Sequence, residues 1–118
     1  MRRTLVVDDN TVNRKLAVAL LKRRGWETEE AENGMAALNK LASGAVFDSV
    51  LLDISMPELD GEEVCRRIRA SQQWAGLRVV AYTAHAMEGE KQRIMSAGFD
   101  DILIKPITAQ DLLKALPD

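Results

Sequence analysis

Short apolar runs alternate with amphipathic segments along the whole chain, and this constrains its folding more than any other feature. "TLVVD" at residues 4–8 is rich in β-branched side chains, and "TVNRKLAVALLKRRG" follows with Val12, Leu16, Ala19 and Leu20 at helical spacing. Gly25 is placed to cap that helix. The Val12-Leu16-Leu20 stripe is expected to face the core, flanked by Val18 and Leu21. Residues 26–31 form a weak, polar-alternating strand suited to a sheet edge, and Asn33-Gly34 opens a second helix with Met35, Leu38, Leu41 and Ala42 inward, ending near Gly44. Residues 47–53 and 77–83 are almost wholly apolar, as strands inside a sheet must be. Helices are expected over 62–70 and 86–97, the latter with Met87, Lys91, Ile94 and Met95 at helical spacing. A fifth strand follows at 101–105, and a last helix has Thr108 as N-cap and Asp111 three positions on. Five strands alternating with five helices imply βαβ units. The fold class is therefore α/β, a parallel sheet with helices on both faces.

Composition narrows the function. A chain of 118 residues is one domain's worth and buries roughly two-thirds of its unfolded surface, so a single domain over residues 1–118 is expected. No apolar run approaches the roughly 20 residues of a membrane span, and "MRRTLVVDDN" lacks the apolar core of a signal peptide. A cytoplasmic location is expected. The net charge of -2 argues against direct nucleic-acid binding, and the basic clusters Lys22-Arg23-Arg24 and Arg66-Arg67 with Arg69 carry no interleaved aromatics, so both read as solvated helix faces. Cys65 stands beside Val64, a turn from Ile68, and reads as a small buried hydrophobe.

The chemistry collects where the strands end. In an open parallel sheet the active crevice lies outside the carboxyl ends of the strands. Those ends carry Asp8-Asp9, Asp53, Thr83 and Lys105. Singly, each has an ordinary use as a cap, a turn residue or a surface charge. Together they place three carboxylates, a hydroxyl and an ammonium around one crevice. Two carboxylates about 4 Å apart at an effective dielectric near 20 repel by about 4 kcal/mol, so three of them call for a cation. An oxygen-only ligand set suits Mg²⁺, and with neither His nor Cys in the set zinc is disfavoured. Mg²⁺, Lys105 and the Thr83 hydroxyl could cover the oxygens of a phosphoryl group, with Asp53, alone on the central strand, as the nucleophile.

Four stretches in this order, "VVDDN", "LLDISMPELDG", "AYTAHA" and "IKPI", resemble the receiver domain of the bacterial two-component response regulators across essentially the whole chain. The resemblance implies a flavodoxin-like, doubly wound (βα)5 fold of strand order 2-1-3-4-5. It also implies Asp8 and Asp9 as the acidic pair that holds Mg²⁺, Asp53 as phosphoacceptor and the Ser55 backbone carbonyl as a further metal ligand. Thr83 matches the switch hydroxyl and Lys105 the lysine that pairs with the phosphoryl group. Lys105-Pro106 matches a dipeptide whose peptide bond is usually cis. Met56, Pro57 and Gly61 fit the loop after the phosphoacceptor, with Gly61 serving the backbone. The implied donor is a histidine kinase or a histidine phosphotransfer domain, and the implied output a downstream protein partner or an attached kinase. The chain would promote only its own phosphorylation and dephosphorylation rather than act as an enzyme on other substrates.

Two features depart from the family pattern. Many members carry Tyr or Phe three residues before the lysine, where this chain has Ile102; Tyr82, on the opposite sheet face from its chain neighbours, reads as packing or surface rather than a substitute. No output domain follows Asp118, which fits a stand-alone receiver or one excised from a larger protein, and the wording of "VDDNTVNRKLA" and "AYTAHAM" resembles receivers attached to hybrid sensor histidine kinases. Ser55 and His85, two residues beyond Asp53 and Thr83, are candidates for setting the lifetime of an acyl phosphate. Asn13, Arg14 and Ala17 on the first helix are candidates for partner contact. Two other functions stay open: an aspartyl-phosphate phosphohydrolase of the haloacid-dehalogenase-like group, although Ser55 stands where that chemistry expects an Asp, and a degenerate receiver acting as a phosphorylation-independent interaction module.

Overall fold

The computed structural model describes residues 2–84 and 87–117. Its elements are β1 (Arg3–Val7), α1 (Thr11–Arg23), β2 (Glu27–Ala31), α2 (Gly34–Ala42), β3 (Ser49–Asp53), α3 (Gly61–Arg69), β4 (Arg78–Thr83), α4 (Glu88–Ser96), β5 (Asp101–Ile104) and α5 (Ala109–Ala115), with a short 3-10 turn at Gln72–Trp74. All strand pairings are parallel, and the order is β2-β1-β3-β4-β5. The polar second strand is at an edge and the apolar third in the centre, as their patterns require. No helix among the described residues is long and apolar enough to cross a membrane.

The strands' alternation builds two cores. Leu5, Val7, Val50, Leu52, Val79 and Ala81 pack with α2, α3 and α4 through Ala37, Leu41, Val64, Cys65, Ile68 and Ile94. Val6, Leu51, Val80, Tyr82 and Leu103 pack on the other face with α1 and α5 through Ala17, Val18, Leu21, Leu112 and Leu116. Cys65 is buried as expected, and that burial pushes its thiol up to about 11, far from reactive. Four helices begin where a short polar side chain accepts an N–H three residues on: Asn10 from Asn13, Asn33 from Ala36, Asp60 from Glu63 and Thr108 from Asp111.

The first helix corrects the expected stripe. Ala17, Val18 and Leu21 are buried, whereas Val12 is 77% exposed and Leu16 41%. The buried face includes Arg14, which periodicity of apolar residues alone passes over. Its Nε donates to Glu30 Oε1 at 2.8 Å and its Nη1 to the carbonyl of Asp8 at 2.8 Å, so a cation belongs on the sheet side of this helix. Arg14 and Ala17 thus face inward and are removed from the partner-contact candidates. Met35 is likewise exposed rather than inward, and Ala42 with it.

The basic clusters are only partly solvated. Arg69 donates to the carbonyls of Gly98 and Leu77 and to Asp100 Oδ2, at 2.8, 2.7 and 2.7 Å, clamping the end of α3 to the turns before β4 and β5. Arg24 stacks over Trp26, 4.4 Å from the ring centroid, and bonds the carbonyls of Leu112 and Leu116 at the end of α5. Both arginines bond backbone carbonyls at or beside the ends of elements.

Gly61 shows how closely the loop after β3 packs. Its N–H donates to the Ile54 carbonyl at 3.0 Å, and a Cβ there would stand 2.2 Å from the Asp53 carbonyl oxygen and 2.9 Å from Ile54 Cα. Those neighbours are backbone and cannot swing aside. Gly61→Ala is therefore expected to lower stability by about 2 kcal/mol in urea denaturation. Gly89→Ala, where a Cβ meets nothing within 4 Å, is expected to raise it by roughly 0.5 kcal/mol. Equal midpoints for the two variants would contradict this account.

Candidate functional site

The winding of the sheet locates the site. From β1 the chain turns outward to β2, then crosses back to β3 and continues to β5, so β1 and β3 are neighbours whose following helices lie on opposite faces. Their carboxyl ends diverge into a crevice. Asp8 follows the last residue of β1 and Asp53 ends β3. Arg14, through the Asp8 carbonyl, ties the first of these ends to α1.

Asp8 is 0% exposed and Asp53 3%, while Asp9 is exposed. One ligand oxygen from each of Asp8, Asp9 and Asp53 lies within 4.8 Å of the others. Lys105 joins them across the crevice, its Nζ 3.2 Å from Asp8 Oδ2 and 3.2 Å from Asp53 Oδ1. The Lys105-Pro106 peptide is cis. Ser55 is exposed in the loop after β3, and its N–H donates to Asp53 Oδ1 at 3.3 Å. Thr83 is buried at the end of β4, and its carbonyl accepts the Lys105 N–H at 2.8 Å. The structure therefore brings Asp8, Asp9, Asp53, Ser55, Thr83 and Lys105 to one end of the sheet. His85 lies outside the described residues.

Tyr82 packs in the core, as one of its two readings had it, and is not a surface residue; it also belongs to this group. It is fully buried, pairs in register with Asp53, and donates its hydroxyl to Asp8 Oδ2 at 2.6 Å. Its ring lies beneath Lys105, with Nζ 4.6 Å from the centroid. Alternation does put Tyr82 on the opposite face from Thr83, but by the same parity that face is the one toward which Asp8 and Asp53 point. Comparing parity between strands, rather than along one strand, is the signal that locates it.

The electrostatics follow from burial and spacing. Burial, then the neighbouring Asp8 charge, pushes Asp53 up to about 6, with Lys105 acting in the opposite sense. Asp8 feels the same burial, yet the Tyr82 hydroxyl, the Asn10 N–H and Lys105 together outweigh it and hold Asp8 below the usual carboxylate range. Burial and then the bond to Asp8 push the Tyr82 phenol far above its ordinary value, which keeps it a donor. Three carboxyl groups face a single ammonium. An oxygen-only cluster with more acids than cations fits a hard divalent cation such as Mg²⁺.

The chain belongs to the response regulator receiver domain family, whose model matches residues 4–117. Among curated relatives it is 41% identical over 117 residues to the sensor protein GacS of Pseudomonas syringae pv. syringae, covering 97% of this chain and 13% of that protein. The chain thus spans only a small part of such relatives, which include hybrid sensor histidine kinases. Among solved structures it superposes on the chemotaxis protein CheY4 of Vibrio cholerae with a TM-score of 0.90 at 32% identity, covering 98% of this chain and 96% of that one. It also superposes on the receiver domain of a sensor histidine kinase from Pseudomonas aeruginosa, described with a magnesium ion in its active-site cleft, with a TM-score of 0.86 at 31% identity, covering 96% and 92%.

The raised Asp53 carboxyl makes stability depend on pH. Its folded value of about 6 exceeds an unfolded value of about 3.9, so its protonated form favours the fold and its ionised form opposes it. The contribution is full below about pH 4 and lost as pH rises through about 6. In metal-free buffer, Asp53→Asn is expected to be more stable than wild type by up to about 3 kcal/mol at pH 8, with the gain vanishing near pH 4. Urea titrations at the two pH values check this; a gain independent of pH would show that Asp53 carries no charge burden.

Proposed function

We propose that this domain is a Mg²⁺-dependent phosphoacceptor that takes a phosphoryl group onto Asp53 from a phosphohistidine donor and signals, or relays the group, through a change in conformation. The observation that carries the reading is the junction of Lys105 with both Asp8 and Asp53 at the sheet's switch point. A merely structural ion pair would need one carboxylate, not a cluster of three with a surplus of negative charge.

Asp8, Asp9, Asp53 and the Ser55 carbonyl are the residues that would hold the cation. When bound, Mg²⁺ supplies charge neutralisation for the acidic cluster and for the phosphoryl oxygens. The Asp53 carboxylate attacks phosphorus; its new O–P bond forms as the P–N bond to the donor imidazole breaks, and the electron pair stays on that nitrogen, so that a phosphohistidine protonated at its other ring nitrogen leaves as neutral imidazole. Lys105 moves its ammonium from Asp8 and Asp53 toward the arriving oxygens, and the Thr83 hydroxyl is the second donor for them. With the phosphoryl group in place, the β4 end bearing Thr83 is drawn in, a shift that requires one state to bind the group better than the other.

The donor in this reading is a histidine kinase or histidine phosphotransfer domain, and the recipient a downstream protein or the kinase to which such domains are joined. The domain acts on itself and is not an enzyme for other substrates. Ser55 in place of a second acid, with its N–H on Asp53, leaves the phosphohydrolase reading without its proton donor. The interaction-module reading retains one observation, the half-buried Ile102 where the switch aromatic would stand.

Incubation with acetyl phosphate and intact-mass spectrometry separates these readings. Wild type is expected to gain one phosphoryl adduct in Mg²⁺ and none in EDTA, and Asp53→Asn is expected to gain none. Folded, Mg²⁺-replete wild type that stays unlabelled would leave only the interaction module.

A further inference from the structure

Asp8 is held on three sides, and one of the three holds is the hydroxyl of Tyr82. Its Oδ1 accepts the Asn10 N–H at 2.8 Å, and its Oδ2 accepts both the Tyr82 hydroxyl at 2.6 Å and the Lys105 ammonium at 3.2 Å. An ionised carboxylate offers about four acceptor sites, so these bonds leave about one, on Oδ1. The carboxylate plane cannot rotate without giving up a buried hydrogen bond.

We propose that Tyr82 is the positioning residue of the metal and phosphoryl site: its hydroxyl orients Asp8 toward the cation, and its ring seats Lys105 between Asp8 and Asp53. The inference rests on the phosphoacceptor reading of the crevice. A buried donor on the far oxygen of a metal-ligating carboxylate fixes which oxygen faces the ion, as outer partners do in metal sites generally. The ring contributes separately. Lys105 stands 4.6 Å above its centroid, a distance at which an aromatic face attracts an ammonium, and the three contacts together fix where the cation sits. Removing the hydroxyl leaves Asp8 Oδ2 on Lys105 alone, which draws the ammonium away from Asp53. The same substitution therefore loosens the metal ligand and misplaces the phosphoryl partner.

Tyr82 is the sole tyrosine of the chain, which allows a direct test. Protein carrying 13Cζ-tyrosine gives one resonance, and in a MgCl₂ titration of wild type that resonance is expected to move on the same isotherm as the Asp9 and Asn10 amides. Tyr82→Phe, which keeps the ring, is expected to raise the Mg²⁺ Kd about tenfold. Its labelling by acetyl phosphate should fall at limiting Mg²⁺ and recover in part at saturating Mg²⁺, the remaining deficit being that of the displaced Lys105; a packing defect would show no such rescue. A tyrosine resonance indifferent to Mg²⁺, or a Tyr82→Phe Kd within twofold of wild type or tighter, overturns the role of Tyr82. Wild type with no Mg²⁺ isotherm at all overturns instead the reading of the crevice on which that role depends.

Discussion

Repulsion among Asp8, Asp9 and Asp53 is the constraint on which the rest of this domain depends. Carboxylates at this spacing, two of them buried, oppose folding, yet the sheet delivers them to one point. Lys105 answers part of the charge, and its geometry shows how: one ammonium divided between two acids whose environments push their proton affinities apart. Burial weighs on both; at Asp8 three donors outweigh it and hold the carboxyl low, whereas at Asp53 burial and the Asp8 charge outweigh Lys105 and push it up. In the proposed function, the carboxylate that is pushed up is the one that takes the phosphoryl group.

The scaffold exists to make that crowding permanent. Two cores, one on each sheet face, hold β1 and β3 in register through wholly buried apolar pairs such as Leu5 with Val50 and Val6 with Leu51. Gly61 lets the loop after β3 return against the Asp53 carbonyl, and Arg14 and Arg69 fasten strand and helix ends from outside. A 118-residue domain can in this way position charged groups that repel one another, because close-packed surroundings deny them room to separate.

The architecture was legible in the sequence wherever a pattern answers to a single physical cause. Alternation of apolar runs and amphipathic segments yields the parallel sheet, and the polar 27–31 segment its edge, because burial on both faces admits only apolar strands. The site residues were legible because they stand at strand ends. Reading failed where a polar group does the work of a buried one. The α1 stripe was misplaced by a turn's fraction because Arg14 faces the core, and Arg24 and Arg69 looked solvated although backbone carbonyls at element ends claim them. Tyr82 was legible as packing, but not its tie to the site, because its hydroxyl makes sense only against Asp8, which is 74 residues away in the chain.

Lys105 is engaged at both of its ends. Its side chain spans the two acids, while its backbone N–H is bonded to the Thr83 carbonyl at 2.8 Å. One residue therefore joins the acids to the main chain at the end of β4, so that under the proposed function the group that answers the phosphoryl oxygens and the strand end bearing Thr83 share a single anchor.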